Sequence, residues 1–328
     1  MARILVTGGA GFIGSHLCDA LLKRGDSVIC VDNLITGQRA NVEHLLRHRG
    51  FSYQEQDITS GLHLDEPLDA VVHLASLASP VAYLEHPLET LTVGSHGTEN
   101  ALELARRSRA RFLLASTSEV YGSPAVSPQP EEYWGNVNPV GPRSVYDESK
   151  RFAEALTAAY RRHLGLDTGI ARIFNTYGPR MSAGDGRVIT NFVVQALASQ
   201  PLQVYGDGSQ TRSFCYIDDL IRGLLALLDS AQPGPLNLGN PEEISISDLA
   251  ALVLRISGAS SGTASAELPV DDPPRRRPDI SKAAHLLGWK PRVGLEEGIR
   301  LTRDWLRGRP EEMTAAISQE EQGAPDFP

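Results

Sequence analysis

The sequence predicts an α/β protein with a doubly wound parallel sheet and a smaller C-terminal α/β region. An apolar run at residues 4–6 stops at a glycine-rich turn, and a helical pattern follows it to Gly25. Short apolar runs then alternate with helical patterns, which is typical of right-handed parallel β-α-β units. The run at 112–115 ends in hydroxyls and a carboxylate, as expected at the edge where open sheets of this kind bind ligands.

The individual elements follow from apolar periodicity and from the glycines and prolines between them. The fully apolar run at 70–75 is typical of a central parallel strand that is buried on both faces. His73 within it is therefore interpreted as a core histidine rather than a catalyst. The predicted strands are at 4–6, 27–31, 51–54, 70–75, 112–115 and 168–174, with long helices at about 87–109 and 144–163.

Composition excludes several classes of protein. The chain has 328 residues and 31 Lys+Arg against 40 Asp+Glu, a net charge of −9, which argues against nucleic-acid binding. No apolar run approaches the roughly 20 residues of a membrane span, and the strand pattern starts directly after Arg3, so neither a membrane segment nor a leader is expected. The three cysteines are scattered without disulfide or metal-ligand spacing, which indicates the cytoplasm and predicts no metal site.

The first turn carries the spacing Gly8-x-x-Gly11-x-x-Gly14 between a strand and a helix. These glycines allow a tight turn, close approach of the backbone to a pyrophosphate, and close packing of the helix on the strand. The phosphates would lie at the positive N-terminus of the helix. Asp32, at the end of the next strand, would hydrogen-bond the adenosine ribose and repel a 2′-phosphate, which predicts NAD rather than NADP.

Beyond Gly178 the alternation changes, which divides the chain. Residues 1–178, with parts of about 206–240, are predicted to form the NAD-binding Rossmann domain, and 179–309 mainly the substrate domain. The acidic stretch 310–328 is predicted to be a disordered tail. The C-terminal pattern predicts a helix at 188–199, a strand at 202–205, a helix from Asp218, a Ser/Gly/Ala linker at 257–266, a charged loop at 271–278, and helices at about 279–287 and 295–306.

Tyr146 and Lys150 are the predicted catalytic pair. They are four residues apart and share one face of a helix. A lysine ammonium beside a tyrosine favours the phenolate and lowers its pKa, so the tyrosine can take a proton from an alcohol at neutral pH. The same spacing also occurs in exposed helix pairs, but here it accompanies a glycine motif and the hydroxyl-rich strand end.

Together, these motifs resemble the extended short-chain dehydrogenases that act on nucleotide sugars, and in particular their UDP-glucuronate-decarboxylating branch. The resemblance runs from about Arg3 to Arg307. The segments that carry the likeness to the branch are 73–80, 116–122, 133–143, 172–176, 208–212, 237–242, 276–280 and 287–291.

The resemblance implies a role for each matching residue, with NAD as cofactor, a UDP-sugar as substrate and a homodimer as assembly. The implied catalytic residues are Tyr146, Lys150, Glu119, Thr117 and Ser118. The implied cofactor-binding residues are Gly8, Gly11, Phe12, Ile13, Gly14, Asp32, Asn33, Thr36, Gly37, Asp57, Ile58, Leu74, Ala75, Ser76, Tyr146, Lys150, Thr176 and Arg187. The implied substrate-binding residues are Ser79, Tyr83, Thr117, Asn175, Arg187, Val204, Tyr205, Arg212 and Arg276.

The reaction that the resemblance implies begins with oxidation at C4 of UDP-glucuronate. The 4-ketone is β to the carboxylate, so carbon dioxide is lost, and hydride return gives UDP-xylose and regenerates NAD. Glu119 would handle a proton or destabilise the carboxylate near C5. Sugar 4,6-dehydratases carry an acidic aspartate where this chain has Ser118, which argues against dehydration.

Three alternatives remain beside that reaction: a decarboxylase that releases the 4-ketopentose, a nucleotide-sugar 4-epimerase, and a redox-inactive NAD-binding scaffold. A scaffold needs none of the catalytic side chains. The chain departs from the family pattern at Thr92, at Gly94, where an asparagine is frequent, and at Ser149, where glycine is more usual. The first two departures put sugar contacts from that helix in doubt.

Overall fold

A computed structural model of the protein describes residues 1–64, 66–267 and 275–321. Its strands are β1 (Arg3–Thr7), β2 (Ser27–Asp32), β3 (Phe51–Glu55), β4 (Ala70–His73), β5 (Arg111–Thr117), β6 (Thr168–Ile173), β7 (Thr176–Tyr177), β8 (Leu202–Tyr205), β9 (Thr211–Ser213), β10 (Cys215–Tyr216), β11 (Leu236–Leu238), β12 (Glu243–Ser245), β13 (Thr263–Ala266) and β14 (Arg275–Arg276). Its α-helices are α1 (Phe12–Arg24), α2 (Pro80–Glu85), α3 (Pro87–Thr92), α4 (Thr98–Ser108), α5 (Ser144–Leu164), α6 (Val188–Leu197), α7 (Ile217–Leu228), α8 (Ile246–Ser257), α9 (Ser281–Leu287), α10 (Leu295–Arg307) and α11 (Pro310–Glu321).

The main sheet has seven strands in the order β11-β6-β5-β4-β1-β2-β3. Every neighbouring pair in it is parallel. The strand order reverses between β1 and β4, which is the point where open α/β sheets bind ligands. The doubly wound parallel sheet predicted from the sequence is confirmed.

Both faces of the sheet are buried, as the apolar runs require. Ile4 and Val6 of β1 pack in one core cluster with Leu17 of α1. Leu5, between them, points to the opposite face and packs in a second cluster with Leu102 of α4. The period of two along the strand thus separates helices onto two layers.

The C-terminal part forms smaller sheets beside the main one. β9 pairs antiparallel with β12 and parallel with β14, and β8 pairs parallel with β13. β11 returns to the main sheet at the edge beside β6. The β9–β14 pairing brings Arg276 opposite Arg212, and therefore carries the arginine segment 275–277 toward the ligand edge.

Several predicted elements need correction. The predicted linker at 257–266 contains β13, whose backbone is paired with β8. In place of the disordered tail predicted from residue 310, the structure has α11, because Ala316, with Met313 and Ile317, packs against the core. The rest of that tail, 322–328, lies outside the described residues, as does 271–274 of the predicted charged loop.

The predicted helix at 87–109 is one helical stretch with an irregular centre. A π-helical turn at Val93–Gly97 joins α3 to α4, at the two glycines that the sequence places there. A Cβ at Gly94 would lie 2.5 Å from Cβ of Ser149 on α5, so the glycine allows these two helices to approach closely. Among the helices of the described ranges, none has the length and apolarity needed to cross a bilayer.

Candidate active site

The glycine loop follows β1 and begins α1. Gly8 has a φ of +70°, and a Cβ there would lie 2.7 Å from the backbone nitrogen of Ala75. A Cβ at Gly14 would lie 2.1 Å from the carbonyl oxygen of Gly8. Both positions therefore require glycine, and they fix the loop tightly against α1 and the end of β4.

Gly11 differs from its two partners, because space remains beside it. Among the described residues, the only atom within 4 Å of a Cβ built there is the carbonyl oxygen of Gly8, at 3.2 Å. Gly11 is the N-cap of α1 and supplies no side-chain cap, so the first backbone N–H groups of the helix are left for a ligand. Free donors and open space at a helix N-terminus fit a pyrophosphate.

Asp32 ends β2 and closes the loop from the other side. Its Oδ2 accepts from the backbone N–H of Ala10 at 2.9 Å, and its Oδ1 accepts from that of Leu34 at 2.9 Å. Burial raises the pKa of this carboxyl, although hydrogen bonds from the backbone N–H groups of Leu34, Ala10 and Gly11 act in the opposite direction. Asp32 therefore has a structural task in addition to the ribose contact that the sequence predicts.

The other predicted cofactor residues lie around this edge. Asn33 reaches Asp57, with 3.5 Å between Nδ2 and Oδ2. Asp57 caps the turn at Ile58–Ser60. The hydroxyl of Thr176 donates a hydrogen bond to the carbonyl of Phe174. The remaining predicted positions follow strand ends or the glycine loop: Phe12, Ile13, Thr36, Gly37, Leu74, Ala75 and Ser76.

Tyr146 and Lys150 lie buried in the first turns of α5. The ring of Tyr146 stacks on Tyr83 of α2, with centroids 5.3 Å apart and planes 6° from parallel. Its hydroxyl is hydrogen-bonded to Thr117 at the end of β5. Lys150 donates from Nζ to the carbonyl of Ala115 at 2.9 Å, and this Nζ is 5.9 Å from the centroid of the Tyr146 ring.

The predicted effect of Lys150 on Tyr146 is not found in this structure. Burial raises the pKa of the Tyr146 hydroxyl above its ordinary value, and the hydrogen bond to Thr117 only partly offsets this. Burial also lowers the pKa of Lys150 to about 8. Desolvation is the largest influence on the pKa of each group.

Glu119 stands in the short 3₁₀ turn Ser118–Tyr121, directly after β5. Thr117 Oγ1 caps this turn by accepting from the N–H of Glu119 at 3.2 Å. Ser118, also a predicted catalytic residue, is buried at the first position of the turn. The turn aims the Glu119 side chain at two arginines from other parts of the chain.

The arginines are Arg276 of β14 and Arg143 at the start of α5. Arg276 makes two contacts with the Glu119 carboxylate, at 2.6 Å from Nη1 and 2.9 Å from Nη2. Arg143 adds a third at 3.0 Å. Burial opposes ionisation of Glu119, but Arg276 and then Arg143 outweigh it and hold the pKa below its ordinary value. Glu119 is therefore an ionised carboxylate held by two guanidinium groups.

The resemblance chooses Arg276 among Arg275, Arg276 and Arg277, and the contacts of Gln129 show how the structure fixes that choice. Gln129 donates its N–H to the carbonyl of Arg277 at 2.8 Å and accepts from the N–H of Arg277 at its Oε1, also 2.8 Å. It also accepts from the N–H of Asp279 at its carbonyl, at 3.0 Å. These bonds fix the main-chain position of the segment.

The remaining predicted substrate residues fall into two groups. Arg187 donates to the carbonyl of Ala78 at 2.6 Å, beside the N-cap Ser79 of α2. Asn175 lies 3.5 Å from Arg276 (Oδ1 to Nη1). Val204 instead lines a separate cavity of about 490 Å³ between β8, β13 and α8, and the contacts above do not include Val204 or Tyr205.

A cavity of about 210 Å³ opens beside Glu119 and Arg143, and Asp147 of α5 lines it as well. The sequence analysis did not assign roles to Arg143, Gln129 or Asp147. Arg143 stands within a segment that carries the family resemblance, but neither of the other two has a local pattern that distinguishes it from a surface residue.

Sequence comparison identifies the family. The family model described as NAD dependent epimerase/dehydratase matches residues 4–239. The chain belongs to this family. The resemblance predicted from the motifs is confirmed.

Individual relatives narrow the comparison. UDP-glucuronic acid decarboxylase 1 of Xenopus tropicalis is 51% identical over 305 residues, 93% of this chain and 72% of that protein. UDP-glucuronic acid decarboxylase 1 of Arabidopsis thaliana is 50% identical over 304 residues, 92% of this chain and 69% of that protein. Among solved structures, UDP-glucuronic acid 4-epimerase from Bacillus cereus in complex with UDP-glucuronic acid and NAD has a TM-score of 0.83 and 32% identity, covering 93% of this chain and 99% of that one.

Proposed function

We propose that the protein is an NAD-dependent decarboxylase that converts UDP-glucuronate to UDP-xylose through a UDP-4-keto intermediate. The observation that carries this proposal is the contact of Glu119 with Arg276 and Arg143, close to the Tyr146–Thr117 hydrogen bond. The two guanidinium groups would bind the carboxylate of a substrate whose 4-hydroxyl lies at Tyr146. The sequence identity of 51% and 50% to two proteins named UDP-glucuronic acid decarboxylase 1 supports the same substrate.

Tyr146 takes the proton of the sugar 4-hydroxyl in the first step, with Thr117 holding the same oxygen. NAD held at the glycine loop would supply the hydride acceptor for oxidation at C4 and, once reduced, the hydride donor for its reversal. Lys150, whose pKa burial lowers to about 8, is positioned to stabilise negative charge on Tyr146 once a ligand excludes water. After hydride return, Tyr146 gives the proton back to O4.

Arg276 and Arg143 orient the anionic part of the substrate. The protein has a net charge of −9, so attraction to an anion must be local. Guanidinium groups bind carboxylates through two parallel hydrogen bonds. In the absence of substrate these donors are on Glu119, and the substrate carboxylate competes with Glu119 for them. Loss of the carboxylate as carbon dioxide then relieves the crowding of two anions.

Cofactor choice follows from Asp32. Gly8, Gly11 and Gly14 would hold the pyrophosphate at α1, and Asp32 would face the adenosine ribose, where a carboxylate repels a 2′-phosphate. NAD is therefore preferred to NADP, by a few kcal/mol at most. Equal activation of cofactor-stripped enzyme by NAD and NADP would contradict this preference.

Two further properties are part of the proposal. A homodimer is supported by the apolar side chains that α3 and α5 expose, with Leu88 72% and Phe152 50% accessible, because exposed apolar groups on neighbouring helices favour association. A cytoplasmic location is supported by Cys18, Cys30 and Cys215, which are all unpaired. Light scattering of the purified chain tests the assembly.

The deciding experiment is incubation of the protein with NAD and UDP-glucuronate, followed by mass and NMR analysis of the nucleotide sugar. We expect carbon dioxide release and UDP-xylose, with catalytic NAD supporting many turnovers. UDP-4-ketopentose with stoichiometric NADH would identify a ketone-releasing decarboxylase instead. UDP-galacturonate without carbon dioxide would identify a 4-epimerase, which the fold similarity to UDP-glucuronic acid 4-epimerase keeps as the second candidate.

A further inference from the structure

Asp147 is a buried carboxyl that the steps above do not use. It follows Tyr146 in the first turn of α5, is 6% exposed, and lines the 210 Å³ cavity together with Glu119 and Arg143. Its Oδ1 is buried without a hydrogen-bond partner in the described part of the chain. A carboxylate oxygen in that condition is costly, whereas a protonated carboxyl is not.

The surroundings of Asp147 favour the protonated form. Burial is the largest influence and the negative charge of Glu119 the next, and together they raise the pKa of Asp147 to about 7. Arg143 and Arg276 act in the opposite direction, and Glu148 adds to the rise. The helix N-terminus ordinarily stabilises a carboxylate, so the raised value means that burial and the neighbouring anion dominate.

The two carboxyl groups that line this cavity thus have opposite protonation states. Glu119 is held ionised by its two arginines, and Asp147 retains a proton near neutral pH. Pairs of acids whose environments separate their pKa values are typical of sites where one group supplies a proton.

The proposed reaction needs such a proton. The proton that Tyr146 removes from O4 during oxidation returns to O4 during reduction, so Tyr146 ends each turnover as it began. Decarboxylation breaks the C5–C6 bond, and the electron pair moves into the C4 carbonyl as an enolate. Forming the C5–H bond of the product then consumes one proton that Tyr146 does not provide.

We propose that Asp147 is the acid that supplies the C5 proton, through the cavity that it shares with Glu119. The inference rests on the proposed decarboxylase function. The Asp147 O–H bond breaks as the C4–C5 π pair of the enolate forms the C5–H bond, and a lone pair of the enolate oxygen re-forms the C4 carbonyl. Asp147 is left as a carboxylate and recovers its proton from water in the cavity before the next turnover.

The test compares Asp147→Asn with Glu148→Gln. Glu148 is the next acid of α5, with 38% of its side chain exposed and a 3.5 Å contact to Arg151, so it serves as a matched control. In Asp147→Asn, UDP-xylose formation should fall about 100-fold, the usual contribution of a positioned acid. The single-turnover absorbance of reduced cofactor should persist, and enolate that leaves the site should take its C5 proton from solvent and appear as UDP-4-ketopentose. In deuterium oxide, wild type should give one C5 stereoisomer of labelled product.

The pH profile separates proton supply from a structural role. Because the acid acts while protonated, UDP-xylose formation by wild type should decline as pH rises through about 7. The decline should vanish in Asp147→Asn, remain in Glu148→Gln, and be recovered in the conservative Asp147→Glu. An infrared band of a protonated carboxyl, titrating in the same range and missing only in Asp147→Asn, gives a readout that does not depend on turnover.

The outcomes are distinguishable. An Asp147→Asn enzyme with the product ratio and pH profile of Glu148→Gln would overturn the proton-supply proposal and leave the decarboxylase intact. A wild-type protein that releases no carbon dioxide from UDP-glucuronate would instead remove the proposed function, and with it the reaction that needs this proton. If Asp147→Asn does not fold, Asp147→Glu and the wild-type infrared titration decide the same question.

Discussion

The two sides of the ligand edge are built in different ways. On the NAD side, Gly8, Gly14 and Asp32 lie within one β-α-β unit, and their contacts are with main-chain atoms. On the sugar side, Glu119 and Arg276 are 157 residues apart and meet through their side chains. The first side is determined by local backbone geometry, and the second by the packing of the complete chain. Substitutions should therefore fail differently on each side.

The largest effect is expected at Tyr146, where the two sides meet. Tyr146→Phe keeps the stack on Tyr83 but removes the hydroxyl that bonds Thr117, so C4 oxidation should fall about 1,000-fold. Stopped-flow absorbance of reduced cofactor measures this step, and calorimetry should show UDP-sugar binding nearly unchanged. Tyr160→Phe, which removes a tyrosine hydroxyl near the other end of α5, is the control. Near-normal oxidation by Tyr146→Phe would end its assignment as the base.

The backbone side is tested by Gly14→Ala against Gly25→Ala. A Cβ at Gly14 would overlap the Gly8 carbonyl at 2.1 Å, whereas nothing lies within 4 Å of one at Gly25, which has a φ of +94°. In Gly14→Ala, overpacking should lower the free energy of unfolding by about 3 kcal/mol, and NAD binding should be abolished. In Gly25→Ala, the left-handed backbone conformation should lower the free energy of unfolding by only about 1 kcal/mol. Urea unfolding and NAD titration measure both, and equal NAD affinity in the two variants would refute the difference.

The side-chain side is tested by Arg276→Ala against Arg275→Ala. The Arg276 side chain is 9% exposed on Glu119, and that of Arg275 is 51% exposed on Glu243. Loss of the buried charge-assisted contact should raise the activation free energy obtained from kcat/KM by about 2 kcal/mol, and loss of the exposed contact should raise it little. Equal small effects would mean that the segment contributes only packing.

The same variant predicts a pH shift. Arg276 is the strongest influence that lowers the pKa of Glu119, so its removal raises that pKa toward the value that burial favours. A step that needs the ionised carboxylate is lost as pH falls through the pKa. The acidic limb of the activity profile should therefore move to higher pH in Arg276→Ala and stay in place in Arg275→Ala.

The smallest effect concerns Gly94 and Ser149, which the sequence analysis treated as separate departures from the family pattern. The structure places them in contact, with 2.5 Å between a Cβ built at Gly94 and Cβ of Ser149. Gly94→Ala should destabilise the protein by about 1 to 2 kcal/mol, and Ser149→Gly in the same chain should restore much of the loss. Thermal unfolding of the four variants gives the coupling, and strict additivity would exclude compensation.

How much the sequence predicts depends on the range of the interactions. The strands and long helices follow from local periodicity, and Tyr146, Lys150 and the glycines follow from spacing on a single element. Asp147 and Glu148 are neighbouring acids on one helix, and only the packed structure distinguishes the buried acid from the exposed one. The strand in the predicted linker and the helix in the predicted tail depend on partners elsewhere in the chain, which composition does not reveal.

The hydrogen bonds of Gln129 determine how the arginine segment 275–277 tolerates insertions and deletions. Arg275, Arg276 and Arg277 are chemically identical, so charge alone does not decide which of them reaches Glu119. The decision lies in the main-chain bonds between Gln129 and Arg277. Removing one arginine would leave two consecutive basic side chains and adding one would leave four, yet either change would present Glu119 with a neighbour aimed elsewhere. The length of the segment is therefore under stricter constraint than its composition.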